Sequence, residues 1–316
     1  MSERFLVTGA LGCLGAWTVR LLVGEATPVV AFDLGERQDR LRLIMTPEEL
    51  EHVTFVRGDI TDLDAVGGVL DEHGVTHVVH LAALQVPFAA ADPPRGALVN
   101  VVGTVNVFEA VKARREQIRG LVYASSAGVY SPADIPPGGG AVPEDAPPHP
   151  ATHYGVHKLA NEGTARTLWT NDGLPSVGIR PYIVYGPGRD QGVSSTPTLG
   201  MLAAARGEPY RISFGGRLQY HYAPDVARAL LAASRATSDG APVFNLGGEA
   251  THMRDIVAAI EAAAPEAAGT ITFEEKPLPF AEELAGGGFE RAIGPLGLTP
   301  LAEGIAATVE HFRHSR

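Results

Sequence analysis

The chain has 316 residues, enough for one large domain or two smaller ones built on a sizeable buried core. Its 45% hydrophobic and 19% charged residues match a soluble globular enzyme, and exclude a disordered or membrane-spanning chain. The formal net charge of −11 would repel nucleic-acid phosphates and anionic lipid, so neither is an expected partner.

In chain order, short β-type runs alternate with helix-type segments. "RFLVTGA" predicts a strand, and a helix follows from Leu11 to Val23. "TPVVAFDL" and "HVTFVRGDI" predict the next two strands, the second followed by a helix starting near Thr61. "VTHVVHLAA" predicts a strand, "PRGALVNVVGTVNVFEAVKARR" one long helix, and "IRGLVYASS" a further strand. Nearly continuous apolar strands separated by helices predict an α/β fold, a doubly wound parallel sheet covered on both faces.

Residues 131–151, "SPADIPPGGGAVPEDAPPHPA", are dominated by Pro and Gly and predict a surface loop beside a site. Helix and strand then resume with "HYGVHKLANEGTARTLW" and "PSVGIRPYIVY". Beyond Gly186 the elements shorten. Helices are expected near 196–206, 224–235, 253–264 and 301–313, with β-type runs at "PYRISF", "LQYHY", "PVFNL" and "TITFEE". Residues 1–186 are therefore expected to form a dinucleotide-binding domain, with later sheet elements returning near 218–250. Residues 187–316 are expected to form mainly a smaller, interleaved substrate lobe.

"TGALGCLG" joins the first strand to the first helix and places Gly9, Gly12 and Gly15 at the spacing GxxGxxG. The first glycine allows a tight turn, the second admits a pyrophosphate, and the third lets helix and strand pack closely. The helix N-terminus offers the phosphates free N–H groups. Asp33 ends the second strand 18 residues past Gly15, where an acidic side chain can bind the ribose 2′-hydroxyl of NAD. Its charge disfavours a 2′-phosphate; nearby Arg37 and Arg40 leave NADP as the weaker alternative. Asp59 in "RGDI" is placed to meet the adenine amino group or to start a helix.

"THYGVHKLAN" puts Tyr154 and Lys158 at i, i+4 on one helix face. A free phenol, with a pKa near about 10, is a poor base at neutral pH. A neighbouring ammonium favours the phenolate, which suits a proton donor and acceptor for a hydroxyl–carbonyl interconversion. "YASSAGVY" ends a strand 28 residues earlier, at the sheet edge where open α/β folds bind ligands. Ser126 can orient a substrate oxygen there, with Ser125 as the competitor.

Taken in order, "TGALGCLG", Asp33, "GDI", "HLAA", "NVVGTVNVFEA", "YASSAGVY", "PEDAPPHP", "YGVHK" and "RPYIVYGPG" resemble an extended short-chain dehydrogenase/reductase of the NAD-dependent epimerase/dehydratase family. The match spans roughly residues 4–188. The resemblance implies a Rossmann-type fold, NAD as cofactor and a Ser126–Tyr154–Lys158 triad. Tyr154 would be the acid/base, Lys158 would bind the nicotinamide ribose, and Ser126 would hold the reacting oxygen. It further places Leu14, Ile60, Leu81, Ala82, Ala83, Asn100, Pro181 and Ile183 at the cofactor. It makes the 131–151 loop one wall of the substrate pocket. It also suggests a homodimer built on the helices around Asn100 and Tyr154.

The chain departs from sugar-nucleotide enzymes of that family at three places. Ile183 stands where an asparagine usually binds the diphosphate side, and Leu218 where an arginine is usual, with Arg217 one residue away. Ala127 follows the triad serine, where dehydratases carry an acid. A dehydrogenase/reductase acting on a secondary alcohol or carbonyl of a small polar substrate (a sugar, sugar acid or hydroxy acid) is the first expectation. A UDP-sugar 4-epimerase is the alternative, and a cofactor-sensing regulator the third. Gln85, Ser126, Arg189, Ser194, Ser195 and Tyr222 are the candidate substrate contacts.

The single cysteine, Cys13, precludes an internal disulfide, and the eleven histidines show no zinc spacing, so no metal is expected. There is no signal-peptide pattern and no apolar run of roughly 18 residues, so a cytoplasmic location is expected.

Overall fold

A computed structural model describes residues 2–236 and 239–315. The strands in chain order are β1 (Phe5–Thr8), β2 (Val29–Asp33), β3 (Val53–Arg57), β4 (His77–His80), β5 (Gly120–Ala124), β6 (Val177–Arg180), β7 (Ile183–Tyr185), β8 (Tyr210–Ile212), β9 (Arg217–Tyr222), β10 (Val243–Asn245), β11 (Ala250–His252) and β12 (Ile271–Phe273). Seven of them form one sheet in the order β10-β6-β5-β4-β1-β2-β3. Every pairing within it is parallel, with Phe5 opposite Val29 on one side and His77 on the other. All four residues of β1 are buried, as a central strand covered on both faces requires.

The order reverses beside β1, whose neighbours are β2 and β4. A topological switch point of this kind opens a crevice at the carboxyl ends of the strands. One core fills the face carrying helices Cys13–Gly24 and Ala223–Arg235, with Phe5, Trp17 and Leu230 in it. A second fills the opposite face around Leu6, Leu70 and Phe108. A third, around Met201, Phe214 and Ile260, packs helices Thr196–Arg206, Met253–Ala263 and Leu301–His314 over the small sheets β11-β9-β7 and β12-β8.

The segment expected as one long helix contains a widened turn. Helix Pro93–Ala97 passes through a π-helical turn at Leu98–Val102 into helix Gly103–Lys112. The Asn100 carbonyl there accepts from Thr104 Oγ1 at 2.7 Å and Asn161 Nδ2 at 2.9 Å. Two side chains thus satisfy it, and turns of this type concentrate at functional sites.

Candidate active site

A cavity of about 1010 Å³ runs along the carboxyl edge of the main sheet, from the glycine loop to Tyr154. At one end, helix Cys13–Gly24 begins at Gly12 with no side-chain cap, leaving its first N–H groups to the cavity. The loop can turn this tightly because Gly15 has no side chain. A Cβ there would lie 2.2 Å from the Gly9 carbonyl oxygen. At the tip of β2 the Asp33 carboxylate accepts from the backbone N–H of Leu11 at 3.0 Å and of Gly35 at 2.9 Å. These bonds fix it against the glycine loop. The two arginines that could have favoured a 2′-phosphate are paired elsewhere: Arg37 with Asp39 at 2.7 Å, and Arg40 with Asp190 at 2.6 Å.

At the other end, helix His153–Asp172 starts at Thr152, whose Oγ1 accepts from Gly155 N at 3.0 Å. Gly155 lets this helix press onto the turn after β5, since a Cβ would lie 2.1 Å from the Gly128 carbonyl oxygen. That close approach brings Tyr154 alongside Ser126: a Cβ added at Gly128 would touch both, 3.3 Å from Ser126 Oγ and 3.8 Å from Tyr154 Cδ1. Ser126 Oγ also accepts from Gly128 N at 3.0 Å. Lys158 is buried; its Nζ donates to the Ala124 carbonyl at 2.7 Å and lies 5.6 Å from the centre of the Tyr154 ring.

The electrostatics differ from the sequence expectation. Burial pushes the Tyr154 phenol above its ordinary value, while the Ser126 hydroxyl and the Arg189 charge pull it back. Desolvation of the phenolate outweighs the ammonium, whose proton is directed to Ala124. Lys158 is itself pushed down to about 8 by burial, against the charge of Glu162, one turn further along the helix.

Glu162 anchors a buried network that the sequence did not reveal. Arg180 grips it bidentately at 2.8 and 2.7 Å, Ser125 Oγ donates to it at 2.5 Å, and Arg180 Nη1 donates to the Tyr130 hydroxyl at 2.8 Å. Ser125 is therefore committed beneath the site, which leaves Ser126 as the serine facing Tyr154. His80 is also structural. It bonds Thr8 Oγ1 at 2.7 Å and Thr104 Oγ1 at 3.0 Å, and burial drives it down to about 3. The Cys13 thiol is pushed up to about 11 by burial, which keeps it protonated and no nucleophile.

The cavity brings together Gly9, Gly12, Leu14, Gly15, Asp33, Asp59, Ile60, Leu81, Ala82, Ala83, Gln85, Ser126, Tyr154, Lys158, Pro181, Ile183, Arg189 and Ser194. Three expected residues lie outside it. Asn100 is fully buried behind the wall, where its amide pins Leu84 through bonds of 2.7 and 2.8 Å. Ser195 donates to the Gly192 carbonyl at 2.8 Å. Tyr222 packs on Tyr185 with ring centres 5.4 Å apart.

The 131–151 loop does not form a wall either. Val142 pairs with the 283–285 segment, donating to Glu283 O at 2.9 Å and accepting from Ala285 N at 2.8 Å. The wall near Tyr154 is instead Leu278, Pro279 and Phe280, from "KPLPF", a stretch with no chemical marker. The Tyr182 hydroxyl donates to the Ala281 carbonyl and holds that stretch in place. Arg217, considered as a substitute for a diphosphate-binding arginine, donates instead to the Ala250 carbonyl at 3.0 Å and does not border the cavity.

An uncapped helix N-terminus, a glycine cradle with no room for side chains, and a carboxylate at the tip of β2 together fit a dinucleotide. The model of the NAD dependent epimerase/dehydratase family matches residues 5–247, and the chain belongs to that family. It is thus an enzyme of an NAD-dependent class. It is similar to a UDP-glucose 4-epimerase of Mycolicibacterium smegmatis, at 34% identity over 98% of this chain and 99% of the relative. Its fold matches a Thermus thermophilus UDP-glucose 4-epimerase solved with NAD, at 27% identity and a TM-score of 0.82 over 99% of both chains. An L-threonine dehydrogenase from Cupriavidus necator shares the fold at 22% identity and a TM-score of 0.82, over 98% of this chain and 99% of that one.

Proposed function

We propose that the protein is an NAD-dependent dehydrogenase/reductase that interconverts a secondary alcohol and a carbonyl on a small polar substrate, with Tyr154 as acid/base. The observation that carries this reading is the grouping of Ser126, Tyr154 and Lys158 at one end of a cavity whose other end is the glycine loop. Gly9, Gly12, Leu14, Gly15 and Asp33 would hold NAD, with Leu81 to Ala83, Pro181 and Ile183 along its path. Bound NAD would supply the hydride acceptor or donor. Tyr154 gives its proton to the carbonyl oxygen in reduction; in oxidation it takes the hydroxyl proton, the positive charges of Lys158 and of bound NAD offsetting the burial that holds its pKa up. Ser126 donates to that oxygen and fixes its distance from the phenol. Lys158 holds positive charge beneath the pair.

The substrate side favours a molecule without a nucleoside diphosphate. Ile183 borders the cavity with an apolar side chain, and Leu218 is buried in the lobe core. Neither offers a hydrogen bond to a phosphate.

A second reading, a UDP-sugar 4-epimerase, is favoured by the relative at 34% identity over nearly the whole chain. Exogenous NAD and a panel of sugars, sugar acids and UDP-sugars separate the two. Net NADH formation with a free substrate supports the first. Tightly bound NAD, no net NADH and interconversion of a UDP-sugar would replace it with the second.

We further propose a division of labour in which residues 1–186 with the returning β10 carry the cofactor and residues 187–316 mainly the substrate. A cytoplasmic homodimer completes the proposal. Among the described residues no helix is long and apolar enough to cross a membrane. Leu98, Val102 and Val156 are about half exposed on the two helical segments expected to pair. Sedimentation of Val156→Glu checks this: a monomer is expected, and an unchanged sedimentation coefficient would reject that face.

A further inference from the structure

We infer that Arg189, with Gln85 and Ser194, forms an anion subsite that receives a carboxylate of the substrate. The inference rests on the dehydrogenase/reductase reading and narrows its substrate to hydroxy acids and sugar acids. Arg189 lies in the loop after β7 and borders the same cavity as Tyr154. Among the described residues it has no acidic partner. Its neighbour Asp190 is taken by Arg40, whose Nε and Nη2 donate to it at 2.9 and 2.6 Å. The cavity's Arg37 and Arg57 are likewise paired, with Asp39 at 2.7 Å and Glu36 at 2.6 Å, while Arg95 at its border carries no ion pair among the described residues but is not fixed toward the cavity by a side-chain bond.

Arg189 is held by neutral groups only. Its Nη2 donates to Ser194 Oγ at 3.0 Å. With the Gln85 amide turned so that its oxygen faces Arg189, Nη1 donates to that oxygen at 3.2 Å, and the Gln85 nitrogen donates to Gln191 O at 3.2 Å. The Arg189 Nε is shut off from solvent with no hydrogen-bond partner. A guanidinium fixed by neutral acceptors keeps its whole charge, and a partly dry cavity screens that charge poorly. The fixing is built into the loop: at Gly192, φ +93°, an added Cβ would lie 2.3 Å from the end of the Gln85 amide, its nitrogen in the turned orientation.

The position selects the substrate over the cofactor phosphates. Arg189 borders the cavity shared by Tyr154 and the glycine loop. The phosphates already have the uncapped N-terminus of helix Cys13–Gly24. Gln85 and Ser194, which aim Arg189, belong to the loops after β4 and β7 rather than to the glycine loop. A planar guanidinium matches a carboxylate bidentately, which suits a substrate acid held beside the reacting alcohol.

Binding to the full-length protein saturated with NADH tests this without requiring turnover, so a failed redox reading would not disguise a failed subsite. The probes are D-galacturonate against D-galactose and D-glycerate against glycerol, followed by the fluorescence of bound NADH. The acids are expected to bind at least about tenfold more tightly than their neutral counterparts, the scale of a hydrogen bond to a charged group. Arg189→Gln should erase that preference, Arg189→Lys should keep part of it, and the Kd for NAD should change less than about threefold in both. If Arg189→Gln weakens NAD by about tenfold and leaves the acids untouched, Arg189 serves the dinucleotide phosphates and the inference falls. It falls equally if the acids bind no better than the neutral probes, or not at all.

Discussion

The two ends of the cavity are built by different means. At the end proposed for the cofactor, Gly9, Asp33 and Leu81 sit at the tips of adjacent parallel strands, and each is within a few residues of a strand end. At the end proposed for the substrate, Arg189, Ser194 and Phe280 come from loops of the later half, and a tyrosine hydroxyl bonded to a carbonyl 99 residues away fixes part of the wall. Strand tips are placed by the ladder of a central sheet, so their positions survive changes in the loops. The far wall depends on a few side-chain contacts and is free to vary with the substrate. The same enzyme class can therefore keep one cofactor and change its reaction partner.

The largest test of this contrast is Tyr154→Phe, the one residue that both ends must meet. Turnover should fall by about 10²–10⁴-fold, the scale of general acid–base catalysis, while the Kd for NAD stays constant. NADH absorbance and a fluorescence titration measure the two. Loss of NAD binding as well would mean that the ends are not separable.

Next comes the buried pair beneath them. Glu162→Gln leaves the Arg180 guanidinium, only 7% exposed, without its counter-charge. Denaturant unfolding should show a loss of about 3–5 kcal/mol. The same substitution removes the charge that raises Lys158. If Lys158 serves the proposed reaction as an ammonium, its pKa of about 8 should fall further and the alkaline limb of the activity profile should move to lower pH. A limb that moves upward would contradict the placement of Glu162.

A smaller effect is expected at the cofactor end alone. Asp33→Ala removes the charge that opposes a 2′-phosphate, and the NAD/NADP preference should relax by about tenfold. An unchanged ratio of kcat/KM values would remove Asp33 as the selector. The smallest is Phe280→Ala at the wall. It should raise KM a few-fold with NAD affinity intact, as expected for trimming an apolar pocket contact worth about 1 kcal/mol.

The glycine loop, Asp33 and the Tyr154–Lys158 spacing were legible because each is written in consecutive residues. Ser126 was legible only with its competitor, and the choice needed Glu162, 37 residues from Ser125, to take that hydroxyl. The Pro/Gly-rich segment read correctly as a loop, but its partner at 283–285 lies outside any local pattern, so its position was misjudged. Asn100 and Tyr222 carry suitable chemistry, yet a widened helical turn buries one and a tyrosine stack turns the other away. The Tyr154 expectation leaves out desolvation, because burial of a phenol cannot be read from its neighbours in sequence.

The most direct measurement is a crystal structure with NAD and a substrate analogue bound. The account predicts the Tyr154 hydroxyl within about 3 Å of the analogue's reacting oxygen, with Lys158 on the nicotinamide ribose. A nicotinamide ring pointing away from Tyr154, with another side chain at the reacting oxygen, would contradict it.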